Sequence, residues 1–120
     1  MAKKILFVDD EPDVLTAVTF RLTKSGYNVI TATDGEKAVS AIRTERPDLV
    51  LLDMRLPGIN GMEVCRVIRS DPALKNIPII LFTASASCIA EDCAKCGADD
   101  YILKPFDSKE LLEKIYKYLR

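Results

Sequence analysis

The stretch ILFVDDEPD, residues 5–13, places four consecutive apolar residues directly before a cluster of acids. A continuous apolar run of this length is typical of a strand covered on both faces of a parallel sheet. Asp9 and Asp10 follow at once, although neighbouring carboxylates repel each other, most strongly where the dielectric constant is low. The stretch therefore predicts either acids that point into water or a positive charge that lies between them.

Apolar runs alternate with amphipathic stretches along the rest of the chain, without repeats or linkers. Helical spacing of apolar residues, with Pro12 near one start and Gly26 after its end, marks the amphipathic stretches as helices. We expect Asn60 to cap a further helix, with Glu63 as its capping-box partner. The predicted strands are Lys4–Val8, Asn28–Ala32 (suited to an edge), Leu49–Leu52, Ile79–Phe82 and Tyr101–Leu103. The other predicted helices are Pro12–Lys24, Glu36–Glu45, Ser87–Cys96 and Ser108–Tyr118.

Five strand–helix units in alternation predict an α/β fold with a doubly wound five-stranded parallel sheet. The length of 120 residues suits one compact domain, and 48% hydrophobic residues are enough for a core. In such folds, functional residues lie beyond the carboxyl ends of the strands. The residues that follow each predicted strand are therefore the candidates for function.

Polar residues follow four of the predicted strands. Asp9 and Asp10 come after the first, Asp53 after the third, Thr83 after the fourth and Lys104 after the fifth. Carboxylates and water form the oxygen shell that Mg²⁺ prefers, with room left for a phosphate oxygen. Lysine and threonine can stabilise charge on a transferred phosphoryl group, and a carboxylate can accept that group covalently. We expect a divalent metal to be the cation between the acids.

The composition excludes several functions. The chain has no histidine, so it can be neither a histidine kinase nor a phosphohistidine carrier, and it cannot form a Ser-His-Asp triad. A net charge of -1 gives no basic field for nucleic acid or an anionic membrane. No apolar run approaches the roughly 20 residues of a transmembrane helix, and the N-terminus lacks a signal peptide. These features predict a cytoplasmic protein.

The motifs FVDDEP, PDLVLLDMRLPGINGMEV, IPIILFTA and GADDYILKPF cover nearly all of the chain. Together they resemble the response-regulator receiver domain of two-component signalling, with residues 1–120 as one such domain. The resemblance implies a flavodoxin-like (βα)5 fold, similar to the chemotaxis regulator, with strand order 2-1-3-4-5. It also implies a signalling switch rather than an enzyme in the usual sense, although receivers catalyse their own phosphorylation and dephosphorylation.

The resemblance also assigns roles to individual residues. Asp53 would be the phospho-acceptor, and Lys104 would contact the phosphoryl group. Thr83 and Tyr101 would be the coupled switch residues. For Mg²⁺, the implied ligands are Asp10, Asp53 and the backbone carbonyl of Arg55, with Asp9 bound through water, and Pro105 would follow a cis peptide bond. Arg55 and Ser85 occupy positions where the family varies and which tend to set the rate of phosphoryl loss.

The implied partners are a histidine kinase or a histidine phosphotransfer protein, and a downstream output protein or domain. Neither nucleic acid nor a membrane is an expected direct partner. Whether phosphorylation causes dimerisation is left open, as is the choice between a stand-alone protein and part of a larger regulator. A pseudo-receiver that signals by binding alone is the first alternative function.

Two alternative functions come from other classes of protein. A flavin-binding domain of the same sheet order would need phosphate donors after the first strand, where this chain has acids. Cys88, Cys93 and Cys96 have the spacing C-x4-C-x2-C found in some iron–sulfur proteins, but Cys65 lies upstream. The pair Cys93 and Cys96 would sit at a helix C-terminus, where the dipole disfavours the thiolate needed for redox chemistry. We interpret the cysteines as small, half-buried residues.

Overall fold

Strands and helices alternate along the chain, as the sequence predicts. The structure is a computed structural model, and it describes residues 2–83 and 97–119. The elements in this part of the chain are β1 (Lys4–Val8), α1 (Pro12–Lys24), β2 (Asn28–Ala32), α2 (Gly35–Glu45), β3 (Leu49–Asp53), α3 (Gly61–Ser70), β4 (Ile79–Thr83), β5 (Asp100–Leu103) and α4 (Ser108–Leu119).

The five strands form one parallel sheet in the order β2-β1-β3-β4-β5. This is the doubly wound, flavodoxin-like arrangement predicted from the sequence, with β2 at an edge. At the carboxyl ends, Val8 pairs with Leu52, and Thr83 pairs with Leu103. The residues that follow β1, β3, β4 and β5 therefore meet at one edge of the sheet.

The bounds of β1, α1 and β2 agree with the prediction, whereas other elements differ by one residue. The strands β3 and β4 each run one residue further than predicted. Asp53 pairs with Phe82 in the ladder, and Thr83 pairs with Leu103. Two candidate site residues are thus held by strand pairing rather than by a loop.

Two apolar layers cover the sheet because side chains alternate between its faces. Leu6 and Val8 belong to the layer that packs against α2 and α3, whereas Ile5 and Phe7 belong to the layer that packs against α1 and α4. Every residue of β3 and β4 is buried. This burial on both faces explains the uninterrupted apolar runs seen in the sequence.

The start of α3 is fixed close to the end of β3. Asn60 caps the helix, as predicted, because its side-chain oxygen accepts a hydrogen bond of 3.0 Å from Glu63 N. Gly61 N donates to the carbonyl oxygen of Met54 at 3.1 Å. A methyl group on Gly61 would overlap the carbonyl oxygen of Asp53, so only glycine permits this approach. The backbone of α3 thus supports the strand end that carries Asp53.

Some predictions lie outside the described residues. They concern the helix Ser87–Cys96, Ser85, and three of the cysteines: Cys88, Cys93 and Cys96. Cys65 is buried in α3 and contributes to the apolar layer on that face. Within residues 2–83 and 97–119, no helix is long and apolar enough to cross a membrane.

Candidate functional site

The carboxyl edge of the sheet gathers the residues predicted to form the site. Asp9 follows β1 and is fully buried, and its backbone N–H donates to Ala32 O at 3.1 Å. Asp53 ends β3 and is 4% exposed. Lys104 follows β5, and its backbone N–H donates to Thr83 O at 2.7 Å. Backbone hydrogen bonds with neighbouring strands thus hold Asp9 and Lys104 in place independently of their side-chain contacts.

The positive charge between the acids is the ammonium group of Lys104. Its Nζ lies 2.9 Å from Oδ2 of Asp53 and 3.3 Å from Oδ2 of Asp9. From the sequence we expect a divalent metal between the acids and a contact of Lys104 with the phosphoryl group. The structure shows that one lysine already links the two buried carboxylates, because it extends from the end of β5 across the carboxyl edge.

Backbone N–H groups orient both buried acids. Oδ1 of Asp9 accepts a hydrogen bond of 3.0 Å from Glu11 N, and Oδ1 of Asp53 accepts one of 2.9 Å from Arg55 N. Each carboxylate therefore has one oxygen held by the turn that follows its strand and the other on Lys104. These contacts fix the orientation of both carboxylate groups.

Burial and charge shift the ionisation of two groups in the site. Burial raises the pKa of Asp9 above its usual value and the charge of Asp53 adds to this, against the opposing effects of the Glu11 N–H and Lys104. Burial alone would lower the pKa of Lys104, but its hydrogen bond to Asp53 and the charges of Asp53 and Asp9 raise it overall. The charged form of Lys104 is therefore favoured, whereas the charged form of Asp9 is disfavoured.

The residues present fit a hard divalent cation. One carboxylate oxygen from each of four acids lies within 4.8 Å of the others: Asp9, Asp10, Glu11 and Asp53. Ligands on opposite sides of Mg²⁺ are separated by about 4.2 Å, twice its usual bond length of 2.0–2.1 Å, so small side-chain movements would suffice. Glu11 was not among the predicted site residues. The run of three acids after β1 is the signal that could have identified it.

A shallow cavity of about 530 Å³, open to solvent, lies beside the site and reaches the acid cluster at Asp10. Its lining includes Asp10, Arg55 and Asn60. Arg55 is exposed, so its side chain stands at the cavity while its backbone N–H holds Asp53.

The two predicted switch residues lie on one face of the sheet. Thr83 is 8% exposed and pairs with Leu103, and Tyr101 pairs with Leu81. Since alternate residues of a strand share a face, Thr83 and Tyr101 both point towards the layer formed with α2 and α3. The peptide bond between Lys104 and Pro105 is cis, as the resemblance implied.

Comparison with known proteins agrees with this architecture. A family model described as the response regulator receiver domain matches residues 5–116. Over 121 aligned residues the chain is 42% identical to the DNA-binding response regulator MtrA of Mycolicibacterium smegmatis. That alignment covers 100% of this chain and 52% of MtrA, so the chain spans about half the length of this relative.

Solved structures show the same fold. The receiver domain of sensor histidine kinase PA1611 from Pseudomonas aeruginosa PAO1, which has a magnesium ion coordinated in its active-site cleft, superposes with a TM-score of 0.92. It is 34% identical, and the match covers 99% of this chain and 98% of that one. The chemotaxis response regulator CheY4 of Vibrio cholerae gives a TM-score of 0.93 at 29% identity, with 99% and 100% coverage. The chain belongs to the response regulator receiver domain family, whose members act as signalling switches in two-component systems.

Proposed function

We propose that Asp53 accepts a phosphoryl group from a phosphohistidine of a partner protein. The observation that carries this assignment is the environment of its carboxylate at the end of β3. Arg55 N holds one oxygen, Lys104 contacts the other at 2.9 Å, and the adjoining cavity is open to solvent. An oriented carboxylate beside a lysine, at the edge where other acids meet, suits covalent phosphoryl transfer.

In this reaction an oxygen of Asp53 attacks phosphorus, the P–N bond of the phosphohistidine breaks and a P–O bond forms. The imidazole nitrogen leaves with the bonding electrons and is then protonated, so atoms and charge balance. Lys104 stays within reach of the reacting oxygens and offsets negative charge on the transferred group. The Thr83 hydroxyl, at the end of the neighbouring strand, is the proposed hydrogen-bond donor to the phosphoryl group.

The proposed metal is Mg²⁺, held by Asp10, Asp53 and the backbone carbonyl of Arg55, with Asp9 acting through water. Mg²⁺ would neutralise charge on the phosphoryl oxygens and orient them. The four clustered acids and the magnesium-containing relative support this choice. Loss of the phosphoryl group would follow when water attacks phosphorus and the carboxylate of Asp53 leaves, so the chain would catalyse both its phosphorylation and its dephosphorylation.

The phosphorylated protein would act through Thr83 and Tyr101, whose rearrangement changes the surface presented to an output protein or domain. The proposed donor is a histidine kinase or a histidine phosphotransfer protein, because the chain has no histidine. Residues 1–120 are proposed to form one receiver domain. A cytoplasmic location remains a prediction from the sequence.

The test is to incubate the protein with acetyl phosphate and Mg²⁺ and to measure the intact mass. We expect a single phosphoryl adduct that disappears in chelator and in Asp53→Asn. Asp13→Asn is the matched control, because Asp13 is an exposed acid in the first turn of α1 and outside the cluster of four. Lack of an adduct in wild-type protein that binds Mg²⁺ would instead identify a pseudo-receiver that signals by binding.

A further inference from the structure

Lys114, in the last helix, makes three separate contacts with the start of β5. Its Nζ donates to the carbonyl oxygen of Tyr101 at 2.6 Å and to Oδ1 of Asp100 at 2.9 Å. The same Nζ lies 5.2 Å from the centroid of the Tyr101 ring, within the range of a cation–π interaction. The lysine therefore binds both the backbone and the side chain of one residue, Tyr101.

Asp100 holds this arrangement in place. Its Oδ1 also accepts from Tyr101 N at 2.8 Å, and its Oδ2 accepts from the Tyr118 hydroxyl at 3.1 Å. The side chains of Lys114 and Asp100 are 27% and 17% exposed, so both are largely shielded from solvent. Contacts of this kind are stronger than at a fully exposed surface, because solvent screens them less.

Tyr101 is well placed to pass a change at the site to α4. Two residues after Tyr101 is Leu103, which pairs with Thr83, and Lys104 follows Leu103 directly. Tyr101 itself packs against the apolar layer on the face of the sheet shared by Thr83. Lys114 is on α4, on the other side of the sheet from α2 and α3, where Leu111 and Ile115 anchor the helix to the second layer.

We propose that Lys114 is a positioning residue that ties Tyr101 to α4, so that a movement of the Tyr101 ring is transmitted to this helix. The trigger of this movement rests on the proposed phosphorylation of Asp53, whereas the contact between Lys114 and Tyr101 does not depend on that proposal. Lys114 adds a specific route from the carboxyl edge to the surface of α4.

The chain offers a matched control one turn along the helix. Lys117 lies 5.3 Å from the ring centroid of Tyr118, so it makes the same kind of contact with a different tyrosine. Substitution Lys117→Met removes one positive charge and one cation–π contact from α4, as Lys114→Met does. Only Lys114→Met removes the link to Tyr101, and Lys114→Arg retains the charge.

The readout is fluorine NMR of protein in which tyrosine is replaced by 3-fluorotyrosine. The chain has four tyrosines: Tyr27, Tyr101, Tyr116 and Tyr118. Their signals are assigned by single Tyr→Phe substitutions, and circular dichroism verifies that each variant is folded. Spectra are recorded before and after acetyl phosphate and Mg²⁺ are added, with Asp53→Asn as the reference that lacks the acceptor.

Before phosphorylation, Lys114→Met should shift or broaden the Tyr101 signal, whereas Lys117→Met and Lys114→Arg should leave it close to wild type. After phosphorylation, the equilibrium constant for the movement of α4, measured from the shift of the Tyr116 signal, should fall roughly two- to fivefold in Lys114→Met, the factor that corresponds to a cation–π contact at a partly exposed site. The Tyr101 response itself should persist.

An unchanged Tyr101 signal in Lys114→Met, or a full Tyr116 response in that variant, would overturn the proposal. Failure of the proposed function would look different. Wild-type protein would then show no response to acetyl phosphate, whereas the effect of Lys114→Met on the Tyr101 signal in untreated protein would remain and support the tie.

Discussion

Substitution Lys104→Met should destabilise the protein in metal-free buffer. The structure predicts this because the ammonium is the contact shared by two buried carboxylates, Asp9 and Asp53, at 3.3 and 2.9 Å. Removing one partner of a buried ion pair costs about 3–5 kcal/mol, since the remaining charge is left uncompensated. Lys104 is 21% exposed, so we take the lower end, about 3 kcal/mol.

Urea unfolding in chelator at pH 7.5 measures this loss directly. With a slope of roughly 2 kcal/mol per molar urea for a domain of this size, the midpoint should fall by about 1.5 M. Lys4→Met is the matched control, because Lys4 pairs at 3.0 Å with Glu45 in an exposed ion pair. Such exposed pairs contribute less than about 1 kcal/mol, so its midpoint should change little.

The deficit of Lys104→Met should depend on pH and on Mg²⁺. The pKa of Asp9 is already raised in the folded protein, and loss of the ammonium would raise it further. A folded pKa above the unfolded value means that the native state binds more protons, so the deficit should narrow as pH falls from 7.5 towards 4.5. Mg²⁺ should stabilise the variant more than wild type. A variant as stable as wild type in chelator, with the same gain from Mg²⁺, would refute this electrostatic account.

Three further substitutions test other parts of the structure. Asp10→Asn removes one of four clustered charges, so it should raise the melting temperature slightly in chelator and weaken Mg²⁺ binding. Thermal melts measure the first effect and titration calorimetry the second. A destabilised, magnesium-insensitive variant would contradict the prediction. Arg46 caps the C-terminus of α2 with φ of 46°, in the left-handed region that favours glycine. Arg46→Gly should therefore raise the free energy of unfolding, measured in urea, by about 1 kcal/mol. Gly61→Ala should lower the free energy of unfolding by about 1–3 kcal/mol and slow phosphorylation by acetyl phosphate, since the added methyl group overlaps the carbonyl of Asp53. An unchanged rate would show that the position of the strand end does not depend on this contact.

Much of the fold could be predicted because local and global signals agree. Continuous apolar runs fit strands buried on both faces, and Pro12, Asn60 and Gly26 act near helix ends as their chemistry suggests. The ends of β3 and β4 were predicted one residue short. Strand pairing with a neighbour decides those bounds, and the partner of a polar residue cannot be identified from its own sequence position.

The site was predicted as a set of residues but not as a set of contacts. Asp9, Asp53 and Lys104 were identified because each follows a strand, yet the ammonium that links the acids depends on how far the lysine reaches across the sheet edge. The contact of Lys114 with Tyr101 joins two elements and has no signal in either one. Spacing identifies which side chains share an edge, whereas distances require the packed structure.

Chemical trapping identifies the residue that carries the phosphoryl group, which we propose to be Asp53. Borohydride reduces an aspartyl phosphate to homoserine, so treated protein can be digested and sequenced by mass spectrometry. We expect homoserine at position 53 only after incubation with acetyl phosphate and Mg²⁺, and none when chelator is present. Homoserine at another acid, such as Asp9 or Asp10, or at no position in protein that binds Mg²⁺, would rule out Asp53 as the acceptor.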